Sequence, residues 1–265
     1  MLTEAKKTIQ LIGGYFRYNL AASMEYRSSF LIQTLGMILN NSAFIFFWWV
    51  LFEHVGEIGG YGFQEVMMIW AISSTSYGIA FVFFGNVRRI SKIIVSGELD
   101  TYLLQSKDAL INLIASGTVV SAWGDIFYGL LLFIFITGGS LVKAGMFILL
   151  SMIGSTFLVS ILVAAHSLTF YFGDAQGTAD LIIEFMVTIG TYPEGIYQGA
   201  SRVLIYTLLP TAFISFVPIR IIQSFSWYWL GVLLLAMVAW GTLSYKLFYR
   251  GLRHYESGNL IVNKL

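Results

Sequence analysis

Three carboxylates fall inside long apolar runs: Asp125 in "SAWGDIFYGLLL", and Asp180 and Glu184 in "GTADLIIEFMVTIG". A charge at the centre of a bilayer costs at least ~2.5–3.5 kcal/mol on insertion scales, so each must face protein or water. Gln176, Asp180, Glu184 and Thr188 step by four and share one helix face. Such a stripe can line a hydrated path or a subunit seam. It can equally be the first turns of a helix at an interface, where carboxylates favour the positive end of the dipole. Asp125 could serve a proton relay, but no His or Lys is evident to pair with it.

Other chemistry is sparse. The chain has no GxxxxGK[ST], HExxH or GxSxG, so it holds no ATP through a P-loop of its own. His54, His166 and His254 fall in unrelated segments, and His166 reads as a helix-packing hydrogen bonder. With no cysteine there is no disulfide, thiol chemistry or Cys-based metal site. Asp174, Asp180 and Glu184 are the only cluster that a membrane-embedded lipid enzyme could use, and their spacing is not that of metal ligands. A proton-driven secondary transporter would call for paired ionisable groups and an internal repeat.

The elements that carry these residues follow from composition. The chain is 57% hydrophobic and 11% charged, against about 25% charged in a soluble domain. The solvent is therefore lipid, where only helices or closed barrels satisfy the backbone. Long apolar runs without period-2 alternation select helices. A near-even charge balance argues against nucleic acid as a partner. The reading is an all-α integral membrane protein, a single domain over 1–265, with six transmembrane helices at about 28–52, 65–87, 110–136, 144–170, 175–190 and 227–249. Ahead of them, 3–22 reads as an amphipathic interfacial helix. Ala5, Ile9, Ile12, Phe16 and Leu20 lie on one face, with Lys6, Lys7 and Arg17 opposite.

All three prolines, Pro193, Pro210 and Pro218, sit late in the chain, within 191–222. Each removes a backbone donor and discourages helix before it. In an apolar stretch this suggests short helices folded back between spans five and six, one in "IYQGASRVLIYTLL" and one in "TAFISFVPIRIIQSF". Of the 15 Lys and Arg, all but Lys143, Arg202 and Arg220 fall on the side that holds both termini and the loop 88–108. The positive-inside rule puts that side in the cytoplasm and the proline-bearing region outside. There Arg202 and Arg220 could meet lipid phosphates or snorkel to the interface. In the loop, Ile90, Ile93, Ile94, Leu99, Leu103 and Leu104 offer an apolar face that Gly97 breaks or turns. Such a face suits a groove on a partner protein, or a lipid surface.

Three passages together resemble the permease subunits of ABC-2 type exporters, in the six-span branch formerly classed as a domain of unknown function. "SGELDTYLL" is similar to that family's G-x-L-D-x-x-L-L after the second span. "YPEGIYQGASRVLIYTLLPTAFISFVP" is similar to its YP-x-x-I-Y…R…P-x-A-F-I-x-x-x-P passage, and "GLRHYESGNL" to its closing G-L-R-x-Y-x-S. One departure is that "QSKDAL" follows where the family often has proline. The resemblance implies a permease at the plasma (inner) membrane, driven by two copies of a separate P-loop ATP-binding subunit that hold the ATP and Mg. This chain would bind no cofactor or metal. A second permease chain, identical or homologous, would complete the transporter. Arg88, Arg89, Gly97, Glu98, Leu99, Asp100 and Leu103 would form the coupling region. Pro193, Arg202, Pro210 and Pro218 would belong to the outer re-entrant region, and Asp125, Asp180 and Glu184 remain candidates for the path or seam. An amphipathic drug, a lipid or a lipid-linked molecule suits so apolar a path.

Overall fold

The computed structural model describes residues 2–256, which are helical almost throughout. Lys264 and the end of the closing motif, residues 257–260, lie outside the described residues. The long helices are α1 (Leu2–Glu25), α2 (Arg27–Val55) and α3 (Phe63–Phe83). A 3-10 turn (Gly85–Arg89) leads to short helices α4 (Ile90–Val95), α5 (Leu99–Leu103) and α6 (Ala109–Ala115). Then follow α7 (Ala122–Thr137), α8 (Leu141–Ser167), α9 (Thr169–Phe172) and α10 (Gln176–Thr191). The chain closes with α11 (Ala200–Tyr206), α12 (Phe216–Gln223) and α13 (Trp227–Leu252).

Four of these helices are long and apolar enough to cross a membrane: α2, α3, α8 with its extension, and α13. The pair α11 and Thr211–Gln223 has the composition of a fifth, but is bent by 58°. α7 and α10, where the third and fifth spans were expected, have 16 residues each. At 1.5 Å per residue each is about 24 Å long, shorter than a ~30 Å hydrocarbon core.

The third span is not the continuous helix expected over 110–136. The chain unwinds between α6 and α7, and the freed backbone is used elsewhere. Gly85 N–H donates to the Gly117 carbonyl (2.9 Å) and Val119 N–H to that of Phe81 (3.0 Å). Gly85 permits this approach, since a Cβ there would stand 2.6 Å from Thr118 Cα. No proline marks this break; its cause is the pairing with Gly85 and Phe81, distant in the chain.

α3 is the axis of the bundle. Of its apolar window 89% is buried, against 17% for α2 and 11% for α13. Its "ISSTSYG" run makes that possible. Gly78 abuts Ala122 and Ile126 of α7, Gly129 of α7 abuts Ala71, and Ser76 abuts Gly154 of α8. The hydroxyls of Ser74, Thr75 and Ser76 return to carbonyls of the preceding turn at 2.7–2.9 Å. They therefore enter an apolar interior without an orphaned donor. α2 and α13 turn Leu31, Leu35, Leu39, Leu235 and Val238 outward, as lipid-facing helices do.

α1 is a single helix across the expected stretch, and it packs on the bundle through a face beside the apolar one. Tyr15 donates to Asn112 (2.5 Å), Asn19 to the Ala115 carbonyl (3.3 Å), and Phe16 stacks on Phe83. Ile9 stays 70% exposed.

The two proline-region helices exist, joined by 3-10 turns at Glu194–Ile196 and Thr211–Phe213. Pro193 precedes the first turn and Pro210 the second. Pro218 departs from the expectation of a break. It lies in the first turn of α12, where its missing N–H has no intrahelical partner to lose. α12 is buried against the bundle: Ser215 and Ser73 share a hydrogen bond of 2.7 Å, and Phe213 stacks on Phe157.

Candidate functional site

A cavity of about 230 Å³ lies between α2, α3, the start of α7, and α10. Met37, Phe44, Trp70, Tyr77, Phe81, Ile183 and Val187 form apolar walls, and Asn41, Ser73, Ser74, Asp125 and Thr191 add polar points. Asp125 is buried, and Asn41 Nδ2 donates to its Oδ1 at 2.7 Å. Tyr128 fixes Asn41 by donating to its carbonyl at 3.2 Å. Contrary to the expectation, Asp125 does not lie in the middle of a continuous helix. The break before α7 puts it in that helix's first turn, where the dipole favours a carboxylate.

Asp180 and Glu184 do not join Asp125. They lie with Thr188 on the exposed side of α10, away from this chain's interior. Gln176 donates to Asp180 (3.1 Å) and to the Arg88 carbonyl (2.9 Å). Asp174 accepts from Gln176 N–H (3.0 Å), acting as a turn residue. Among the described residues no group of three His or acidic side chains could hold a metal ion.

At one end the cavity meets the loop 84–108. Arg88 is a member of both: it lines the cavity, and its guanidinium carbon stands 5.3 Å from the Phe81 ring centroid. Gly97 turns the chain between α4 and α5 with φ +77°, a conformation that disfavours a side chain. The apolar docking face expected on the two sides of Gly97 is corrected. Ile90, Ile93, Ile94 and Leu99 are buried in the chain's own core. What they leave outward is Arg89, Lys92, Glu98, Leu103 and Leu104, the last 88% exposed. α5 ends at Leu103 without a proline; Asp108 then caps α6, accepting from Ile111 N–H at 2.9 Å.

This loop is latched from behind. Ser91 Oγ lies 2.7 Å from His166 Nδ1, and Thr169 donates to Ser91 at 2.7 Å. All three side chains are buried, so His166 ties α8 to α4 as a packing hydrogen bonder. The Asp100 carboxylate lies beside Tyr255. Burial first, and then that carboxylate, push the Tyr255 hydroxyl up to about 12. Two of the passages singled out in the sequence, 96–104 and 251–256, thus meet at one end of the bundle.

The opposite end is organised by a residue that sequence reasoning missed. Glu194, in "YPEGIY", is buried at 3% exposure. It accepts from Arg220 (2.5 Å), Tyr206 (2.8 Å), Arg202 (3.3 Å) and, more weakly, Tyr61 (3.4 Å). Burial first, then the Glu194 carboxylate, raise the Tyr61 hydroxyl above its ordinary value. Arg220 also stands over the Trp229 ring of α13 at 5.1 Å. The two arginines expected to meet lipid phosphates or to snorkel to the interface both pair instead with one buried carboxylate. The α2–α3 turn reaches the same place, with Gly59 and Gly195 so close that a Cβ on Gly59 would stand 2.9 Å from the Gly195 carbonyl carbon. A lone acid beside proline and glycine was the available signal; its partners, 8 to 133 residues away, carried none.

An all-helical bundle around an apolar cavity, with polar latches at both ends, defines a multi-pass membrane protein. The chain belongs to a family of ABC transporters: the model of the ABC-2 family transporter protein matches residues 38–258. Membership makes it the membrane permease of an ABC transporter, a transport component that works with an ATP-binding subunit. Comparison with curated proteins and with solved structures gave no match.

Proposed function

We propose that the chain is a permease subunit of an ATP-driven exporter at the plasma membrane, coupling hydrolysis by two copies of a separate P-loop subunit to outward movement of an amphipathic molecule. ATP and Mg belong to that subunit. A second permease, identical or homologous, packs against this one. The exposed Asp180, Glu184 and Thr188 on α10 suit the seam or the hydrated path between them. α6 with α7, and α10, complete six crossings, and both termini and the loop 84–108 are cytoplasmic.

The observation that carries the reading is that Arg88 belongs both to the loop and to the cavity wall. Gln176 and His166 tie the same loop to α10 and α8. A push on this loop is thereby passed to α10, which bounds the cavity, and to α8. Arg89, Glu98, Leu103 and Leu104 are the outward contacts; Gly97, Leu99 and Asp100 hold the loop's shape. Glu194 closes the far side.

Photo-crosslinking tests this placement. A benzoylphenylalanine at Leu104 should capture a P-loop ATPase, and one at Leu141 should not; both positions are nearly fully exposed, at opposite ends. Capture at Leu141 with none at Leu104 would reverse the orientation and refute the coupling assignment.

A further inference from the structure

Only two carboxylates are buried among the described residues, Asp125 and Glu194. The fold treats them differently. Glu194 takes two guanidinium groups and two phenols. Asp125 takes one neutral amide and, among the described residues, makes no ion pair. A carboxylate withdrawn from water is costly unless a cation or several donors meet it. For Glu194 the chain supplies them; for Asp125 it supplies an amide, a helix start and a cavity.

Four aromatic side chains line part of that cavity, beside aliphatic and hydroxyl groups. Phe44 and Trp70 stack at 5.0 Å, and Tyr77 and Phe81 continue the same wall. Aromatic faces attract cations most strongly where water is excluded, and an apolar pocket with a few fixed polar groups is the usual form of a small-molecule site. Arg88 is the other charged group on the wall. It is held over Phe81 at the end nearer the 84–108 loop, whereas Asp125 lies more than a turn beyond Val119, the residue that pairs with Phe81.

The geometry points to a binding site for a lipophilic organic cation, with an N–H of its charged head bonded to Asp125 and its apolar body against Trp70, Tyr77 and Phe81. Arg88 at the mouth selects against a second positive charge on the body. Binding itself needs no ATPase; that the bound cation is the exported cargo rests on the exporter reading above.

The test uses the purified full chain in lipid nanodiscs, with proflavine as a small planar cation bearing N–H groups and an uncharged BODIPY dye of similar size to report partition into lipid. Fluorescence anisotropy should show saturable binding of proflavine and only linear partition of the neutral dye. Asp125→Asn keeps the shape and removes the charge, and should weaken proflavine about ten-fold or more. Asp125→Glu should recover part of the loss. Equal saturable binding of both dyes to the wild-type chain would overturn the site even if no variant purifies. So would Asp125→Asn binding within about two-fold of wild type. A chain that binds the cation but captures no ATPase keeps the site and loses its role as a cargo site. A chain that captures an ATPase and ignores the cation keeps the exporter reading and loses the site.

Discussion

Replacing Glu194 with Gln separates charge from shape at the buried hub. Arg220 Nη2 lies 2.5 Å from one carboxylate oxygen and Arg202 Nη2 3.3 Å from the other. Removing one partner of a fully buried pair costs about 3–5 kcal/mol. Here the guanidinium side chains are 32% and 57% exposed, so water relieves part of the stranded charge, and Gln still accepts a hydrogen bond. The expected cost of Glu194→Gln is about 2–3 kcal/mol, nearly all through Arg220. Arg202→Met, at an exposed partner, should cost about 0–1 kcal/mol. The assay is a thermal melt followed by fluorescence-detected size exclusion in one detergent. At roughly 2–4 °C per kcal/mol for a chain of this size, the midpoint should fall by about 4–12 °C for Glu194→Gln and by less than about 4 °C for Arg202→Met. In an Arg220→Met background the further loss from Glu194→Gln should be less than half as large, because the charge it strands is already gone. An undiminished loss in that background would refute the ion pair as the cause, and an unchanged midpoint for Glu194→Gln would refute the hub itself.

Other perturbations test other parts. A Cβ on Gly129 would stand 2.5 Å from the Ala71 carbonyl, so Gly129→Val should cost about 1–3 kcal/mol or more by overpacking α7 on α3 and sharply lower the yield of monodisperse protein. Gly97 has φ +77° with open space around it; Gly97→Ala should cost about 1 kcal/mol by backbone strain alone, and Gly97→Asn less, read as an ordered pair of melting midpoints. Leu104→Asp should leave the melt unchanged within about 0.5 kcal/mol, since Leu104 is 88% exposed, yet reduce recovery of the ATPase several-fold.

How far the sequence spoke depended on whether the cause was local. Lipid as solvent follows from apolar run length and the scarcity of charge, and the apolar segments form helices, the third of them broken. Gly97 as a turn and the proline stretch as two short helices follow from backbone restrictions of single residues. The break between α6 and α7 did not, because "SGTVVS" carries no proline and unwinds only against Gly85 and Phe81. The loop's isoleucines presented a helical apolar face, and periodicity alone cannot say whether such a face meets a partner or the chain's own core; α8 and α10 decide that. Arg202 and Arg220 looked like interfacial cations because their counter-charge, Glu194, sits in a turn with no pattern of its own. Asp125 was legible as a costly buried charge, but Asn41, 84 residues earlier, was not legible as its partner. Three passages carried the resemblance to the family, and two of them meet in space through Asp100 and Tyr255.

The central claim is that this permease works through an ATPase held at the 84–108 loop. The most direct measurement is a mild-detergent pull-down of the tagged chain from its native membrane, with quantitative mass spectrometry of everything retained, repeated for Leu104→Asp. The account predicts a P-loop ATPase at one copy per permease chain, lost with the variant while the permease itself elutes unchanged. A permease recovered alone from a detergent that preserves such complexes would contradict it, as would an ATPase retained equally by the variant.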